Sequence, residues 1–105
     1  VVITFTQGNI TTTTTEQSIC DITADQQFAT WIFTNNLQSG DSVRVKVYIK
    51  DDNTTTLRLY GEQDIEGAQT KTAFLIPITS AKQYKVTIQK IAGIDRSFSW
   101  LRAEI

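Results

Sequence analysis

The chain has 105 residues, ten basic and eleven acidic side chains, and a formal net charge of −1. That length suits one domain, residues 1–105, and near-neutrality argues against a nucleic-acid binder that works through bulk charge. A single cysteine excludes an intrachain disulfide, and the absence of histidine removes Ser-His-Asp and Cys-His catalysis.

In chain order, "VVITFT" opens as an apolar strand with Ile3 and Phe5 on one face and Thr4 and Thr6 on the other. The run "NITTTTTEQSICDIT" follows. Threonine is β-branched and suits strands, so Thr11, Thr13 and Thr15 are expected on one face of an extended edge strand, with Thr12 and Thr14 opposite; the alternative is a mobile connector. No lysine or proline guards that edge, which leaves it open to a neighbouring subunit. Residues 1–15 are therefore read either as an intersubunit strand or arm, or as the first strand of the chain's own sandwich. Cys20, between Ile19 and Asp21 in an expected strand at "ICDIT", reads as a small buried hydrophobe.

"FATWIFTN" sets Phe28, Thr30 and Ile32 against Ala29, Trp31 and Phe33, which predicts cover on both faces. "DSVRVKVYIK" alternates cleanly: Val43, Val45, Val47 and Ile49 inward; Arg44, Lys46, Tyr48 and Lys50 outward. "KDDN" supplies a turn, and "TTTLRLYG" returns with Leu57 and Leu59 opposite Arg58 and Tyr60, so residues 42–60 form a hairpin. "EQDIEGAQT" reads as a loop or a single turn. "AFLIPIT" is apolar throughout but holds Pro77, which places it at an edge, a bulge or a strand end. "KQYKVTIQKI" puts Tyr84, Val86 and Ile88 on one face, "AGIDR" turns, and "SFSWLRAEI" closes with Phe98 and Trp100 against Leu101 and Ala103. The longest apolar run, "AFLIPI", is too short to span a bilayer.

Seven to nine short strands with regular turn signals and no amphipathic helix point to an all-β fold, an antiparallel sandwich or small barrel; a β-sandwich with jelly-roll-like connections is favoured, and the sequence does not separate it from an immunoglobulin-like order.

Chemistry is sparse. One cysteine without histidine does not make a typical zinc site, no glycine-rich phosphate loop is present, and no cofactor is expected. Asp51, Asp52 and Asn53 offer hard oxygen ligands in a loop, but they lack the EF-hand pattern, and no metal is assigned. Asn9 and Asn53 head N-x-T triplets and are acceptors only if the chain meets a glycosylating compartment. Trp31, Trp100, Tyr48, Tyr60 and Tyr84 are either a sugar-stacking platform or cover for the sandwich. Tyr48 and Tyr60 are expected side by side on an outer face near Arg44 and Arg58, a composition that suits an interface.

The run from "SVRVKVYIK" through "LRLYGEQ" to "YKVTIQKIAGIDRSFSW" resembles small all-β proteins of phages and archaeal viruses over about 60 residues. The resemblance implies a virion structural role, such as capsid, decoration or tail protein. The expected function is thus a non-enzymatic subunit that assembles with copies of itself, in a virion or an extracellular filament. Further partners would be other virion proteins or surface glycans. The alternative is a carbohydrate- or receptor-binding module.

Overall fold

The computed structural model describes residues 3–50, 57–70 and 73–104. Six strands follow in order: β1 (Thr4–Thr11), β2 (Gln17–Phe33), β3 (Ser42–Lys50), β4 (Arg58–Glu66), β5 (Ala73–Ala92) and β6 (Ser97–Glu104). All the strand pairs are antiparallel, in the spatial order β1-β6-β2-β5-β3-β4.

β2 and β5 are long because each serves two sheets. Residues 28–33 of β2 pair with β6 and with residues 73–78 of β5; residues 17–23 pair with residues 83–88 of β5. Register shifts between Thr23 and Phe28 mark the bend, as bulges commonly do where a strand changes sheet. Sheet I is thus β1, β6, the second half of β2 and the first half of β5. Sheet II is the first half of β2, the second half of β5, β3 and β4.

Counting each half of β2 and β5 separately, sheet I takes the first, last, third and sixth segments, and sheet II the second, seventh, fourth and fifth. This is the jelly-roll arrangement of two interleaved Greek keys. The expected sandwich is therefore present. The short strands read as separate at "ICDIT" and "FATWIFTN", and at "AFLIPIT" and "KQYKVTIQKI", are each one continuous strand.

The alternation of β3 and β5 explains the core. Val43, Val45, Val47, Tyr84, Val86 and Ile88 are all buried in sheet II, opposite Phe28, Ile32, Ile76 and Phe98 of sheet I. Each large apolar side chain contributes about 1.5–3 kcal/mol on full burial. The Phe28 and Tyr84 rings meet edge to face across the sheets, with centroids 4.9 Å apart. Cys20 is buried as expected, its Sγ 4.0 Å from Thr30 Oγ1, and burial pushes its thiol pKa up.

Two departures concern local structure. The threonine run is not a strand: β1 ends at Thr11, and residues 12–16 carry the chain from sheet I to sheet II. Thr12 is fully buried there. Its amide and its hydroxyl both donate to the Arg96 carbonyl (2.9 and 3.2 Å), and the Arg96 amide donates back to the hydroxyl. The Lys90 amide donates to the Thr13 carbonyl at 2.8 Å. The connection thus finds its backbone partners on the loop and strand beside it.

"EQDIE" is not a loop either; it completes β4. Ile65 is buried opposite Val43, while Asp64 and Glu62 lie opposite Arg44 and Lys46. Arg44 Nε is 2.8 Å from Asp64 and 3.4 Å from Glu62, and Lys46 Nζ is 3.9 Å from Glu62. Cross-strand opposite charges favour this register. The turn expected at "KDDN" lies outside the described residues.

At one end of the sandwich, Asp41 ties three loops together. Its carboxylate accepts from the Gln38 amide at 3.0 Å, the Ile94 amide at 3.3 Å and Arg96 Nε at 2.8 Å, and its carbonyl accepts from the Gly67 amide at 2.8 Å. Gly93 passes so close that a Cβ there would overlap the Asp41 carboxylate, and its φ of 87° is left-handed.

Candidate assembly surface

The two outward faces of the sandwich differ in kind. Sheet II presents Arg44, Lys46, Tyr48, Glu62, Asp64 and Lys85, by alternation with its buried residues. Sheet I presents the residues between its buried Phe28, Thr30, Ile32 and Phe98. The pairing sets them in rows across the strands. One row contains Phe5, Ala103 and Ala29. The next contains Gln7, Leu101, Trp31 and Leu75. A third contains Asn9, Ser99, Phe33 and Ala73.

No described residue in these rows is charged. Phe5 is 62% exposed, Leu75 46%, and Ile3, just before β1, 49%. Trp31, Phe33, Leu101, Ala103 and Ala29 are half-buried against one another. A soluble protein rarely leaves so much contiguous apolar surface without an interaction to cover it. The expectation that "FATWIFTN" is covered on both faces is therefore corrected: among the described residues no element packs over Ala29, Trp31 and Phe33, which are half-buried by their neighbours in the sheet.

Arg102 and Glu104 point the other way, into the sandwich, with Nε and Oε1 2.6 Å apart and side chains about one-sixth exposed. The Arg102 guanidinium also lies over Trp100, 5.8 Å from the ring centroid. The strand that carries an apolar outer face thus turns its ion pair inward.

The interface residues expected from sequence separate into three places. Ile3 and Phe5 lie on the apolar face of sheet I. β1 pairs along its length with β6, so the opening segment is the first strand of the chain's own sandwich. Its outer face and open edge are what a neighbour could reach. Arg44 and Tyr48 lie on the charged face of sheet II. Tyr60 does not join Tyr48, because a register shift between Val47 and Tyr48 makes Tyr60 the extra residue of a bulge. Tyr60 instead lines a cleft of about 320 Å³ at the open side of the sandwich with Val45, Val47, Leu75 and Ile76. Arg58 precedes the bulge and pairs with Ile49, a register that puts it on the opposite side of β4 from Leu59.

The five aromatic rings do not form one platform. Tyr84 is in the core, Trp100 covers Gly8 on the core side, Trp31 is on the apolar face, Tyr48 is on the charged face, and Tyr60 lines the lateral cleft. Asn9 is exposed on β1, where its Oδ1 accepts from the Ser99 hydroxyl at 2.8 Å. Asn53 lies outside the described residues, as do Asp51 and Asp52.

A polar depression of about 390 Å³ opens on sheet II, lined by Glu16, Ser18, Tyr48, Leu57, Lys85 and Thr87. Glu16 Oε2 accepts from the Thr87 hydroxyl at 2.6 Å and the Tyr48 phenol at 2.9 Å. The Thr87 bond is the main cause that holds the Glu16 pKa below its usual value. Burial opposes it; Tyr48, Lys46 and Lys85 reinforce it. Lys85 Nζ also sits 5.9 Å from the Tyr48 ring centroid. This carboxylate is already well satisfied within the chain.

Sequence reasoning missed Leu101, Trp31, Phe33 and Leu75 as surface residues. The signal was present: "TWIF" and "SWLRA" are apolar at successive positions, so one of their two faces had to point away from the core. Comparison with known proteins adds no relative: no protein-family model and no curated protein matches the chain.

Proposed function

We propose that this protein is a non-enzymatic structural subunit that assembles with copies of itself, as a virion component or an extracellular filament subunit. The observation that carries the reading is the asymmetry of the sandwich. One outer face is charged and carries cross-strand ion pairs; the other is apolar and has no described charged residue. A monomer that stayed single would hold that apolar face in water at a cost of about 25 cal/mol per Å².

Support also comes from composition: with no histidine and one buried cysteine, the common nucleophile–base pairs are missing from the chain. The jelly roll hosts capsid proteins and lectins alike, so the fold supports the virion reading by analogy alone. The test is the mass in solution by light scattering, joined to negative-stain microscopy at high concentration. Assembly into closed oligomers, shells or filaments is the expected result. A monomer at every concentration would refute it.

The carbohydrate- or receptor-binding reading draws on one feature, the depression around Glu16, Tyr48, Lys85 and Thr87. A glycan array tests it directly, with Tyr48→Ala as the control that should abolish any signal.

A further inference from the structure

The rows on sheet I have a shape as well as a chemistry. On β6 and β2 the second row carries the large side chains Leu101 and Trp31 and forms a short ridge. The adjacent row has Ala103 and Ala29 on the same two strands, a trough bounded on β1 by Phe5. A ridge parallel to a trough on an uncharged face is self-complementary. A two-fold axis lying in the interface, across the strands and between the two rows, exchanges them. Each strand then lies antiparallel over its own counterpart, so that Trp31 sits on Ala29 of the second copy and Leu101 on Ala103 of the second copy, and the reverse.

We infer that a second copy of this chain covers the apolar face in this isologous way, through the reciprocal ridge-into-trough contact. The inference rests on the self-assembly reading and names its surface, its symmetry and its contacts.

Charge and area support a second copy as the occupant. Two like faces can be brought together only if neither buries an unpaired charge, and the described rows carry none. A partner with an acidic or basic surface would leave its own charges desolvated against them. Four strands about 4.8 Å apart and about seven residues long give a footprint on the order of 450 Å². Two copies therefore bury on the order of 900 Å² in projection, and more in accessible area because exposed side chains such as Phe5 and Leu75 project from the sheet. That reaches the roughly 1,000 Å² that a specific interface needs. Sheets packed face to face lie about 10 Å apart, the spacing at which ridge and trough side chains interdigitate. The closed geometry also leaves both charged faces outward, in water.

The experiment is sedimentation velocity on the full chain and on two charge variants, Leu101→Lys and Ala103→Glu, with circular dichroism and melting curves to confirm the fold. Wild type should show twice the monomer mass. Each variant alone should be folded and monomeric where wild type is dimeric, with dimer affinity reduced at least tenfold. Mixed one to one, the two variants should restore a dimer, because the ammonium introduced on one copy then meets the carboxylate introduced on the other. Phe5→Lys, at a site already 62% exposed, weakens the dimer without touching the core and covers the case in which a half-buried variant unfolds.

If wild type assembles but the face variants keep its mass, or mixing restores nothing, the ridge-into-trough contact is wrong while self-assembly stands. If wild type is a monomer throughout, both fall. Loss of assembly on Lys85→Glu, on the opposite face, with the sheet I variants unaffected would assign the contact to sheet II and overturn the inference.

Discussion

The Tyr84 phenol donates a 2.7 Å hydrogen bond to Thr30 Oγ1 and so links the two sheets through the middle of the core. Both residues are fully buried. Tyr84 belongs to the half of β5 in sheet II, and Thr30 to the half of β2 in sheet I. Burial pushes the Tyr84 pKa well above the usual phenol value, so the phenol stays a neutral donor well into alkaline solution. Tyr84→Phe leaves Thr30 with the weak Cys20 contact and should cost about 1 kcal/mol. Thr30→Val leaves a buried phenol whose remaining acceptor is the Ile76 carbonyl at 3.5 Å, and should cost about 1–3 kcal/mol. The double variant should lose less than the sum of the two. Urea unfolding of the four proteins measures this; strict additivity would mean that the bond contributes nothing.

Acid should weaken the fold in a defined window. Burial alone would raise the Asp41 pKa. The hydrogen bonds from the Gln38 amide, Arg96 and the Ile94 amide, together with the Arg96 charge, hold it below the ordinary carboxylate range. Asp64 is lowered chiefly by its bond from Arg44, and Glu16 chiefly by that from Thr87. A carboxyl with a folded pKa below its unfolded value, about 4, binds more protons unfolded than folded in the interval between the two. Stability is therefore steady above about pH 5 and falls as pH drops below about 4. Asp41→Asn should melt at a lower temperature than wild type at pH 7 and show a shallower decline towards pH 3. Parallel declines would remove Asp41 from the account.

Gly93 and Gly40 offer a matched comparison. Both are left-handed, with φ of 87° and 90°, but nothing lies within 4 Å of a Cβ at Gly40, whereas the Asp41 carboxylate occupies that space at Gly93. Gly40→Ala should show the backbone penalty alone, about 1–2 kcal/mol. Gly93→Ala must also displace Asp41 from the Ile94 amide and Arg96, so its loss should be more than twice as large. Equal losses in chemical denaturation would show that the Asp41 junction relaxes freely.

The legible part of this fold was its alternation. β3 and the second half of β5 carry a strict period of two, and every residue placed inward from Val43 to Val47 and from Tyr84 to Ile88 is buried. Strand continuity was not legible. Alternation says which side a residue faces relative to its own strand, and it reads the same whether that strand stays in one sheet or bends into another. β2 and β5 therefore looked like four short strands. The second half of β4 was hidden because its outward residues are acidic. Glu62 and Asp64 lie opposite Lys46 and Arg44, a pattern visible only once the two strands are paired. The apolar surface was half legible: "TWIF" and "SWLRA" announced two apolar faces, and it took the topology to show that no described element lies over one of them.

The threonine run shows most plainly that identical residues can hold different positions. Thr11 ends β1 and is exposed; Thr12 is fully buried and bonded three times to Arg96; Thr13 accepts at its hydroxyl from the Thr15 amide at 3.2 Å; Thr14 offers its carbonyl to Gln89 Nε2 at 2.8 Å. Along residues 11–14, Thr12 and Thr13 are the two that bond through their hydroxyls. Valine has the same shape as threonine without the hydroxyl, so a valine scan separates shape from hydrogen bonding. Thr12→Val should keep the packing but leave the part-buried Arg96 amide without its acceptor, a loss of about 1–3 kcal/mol. Thr11→Val and Thr14→Val should stay within about 0.5 kcal/mol, as surface substitutions do. Thr13→Val should fall between, because its partner is exposed. The expected order of melting temperatures has Thr12→Val lowest by a clear margin. If the four variants melt together, the crossover between the sheets is held by its backbone bonds alone, and the Thr12 hydroxyl has no part in fixing it.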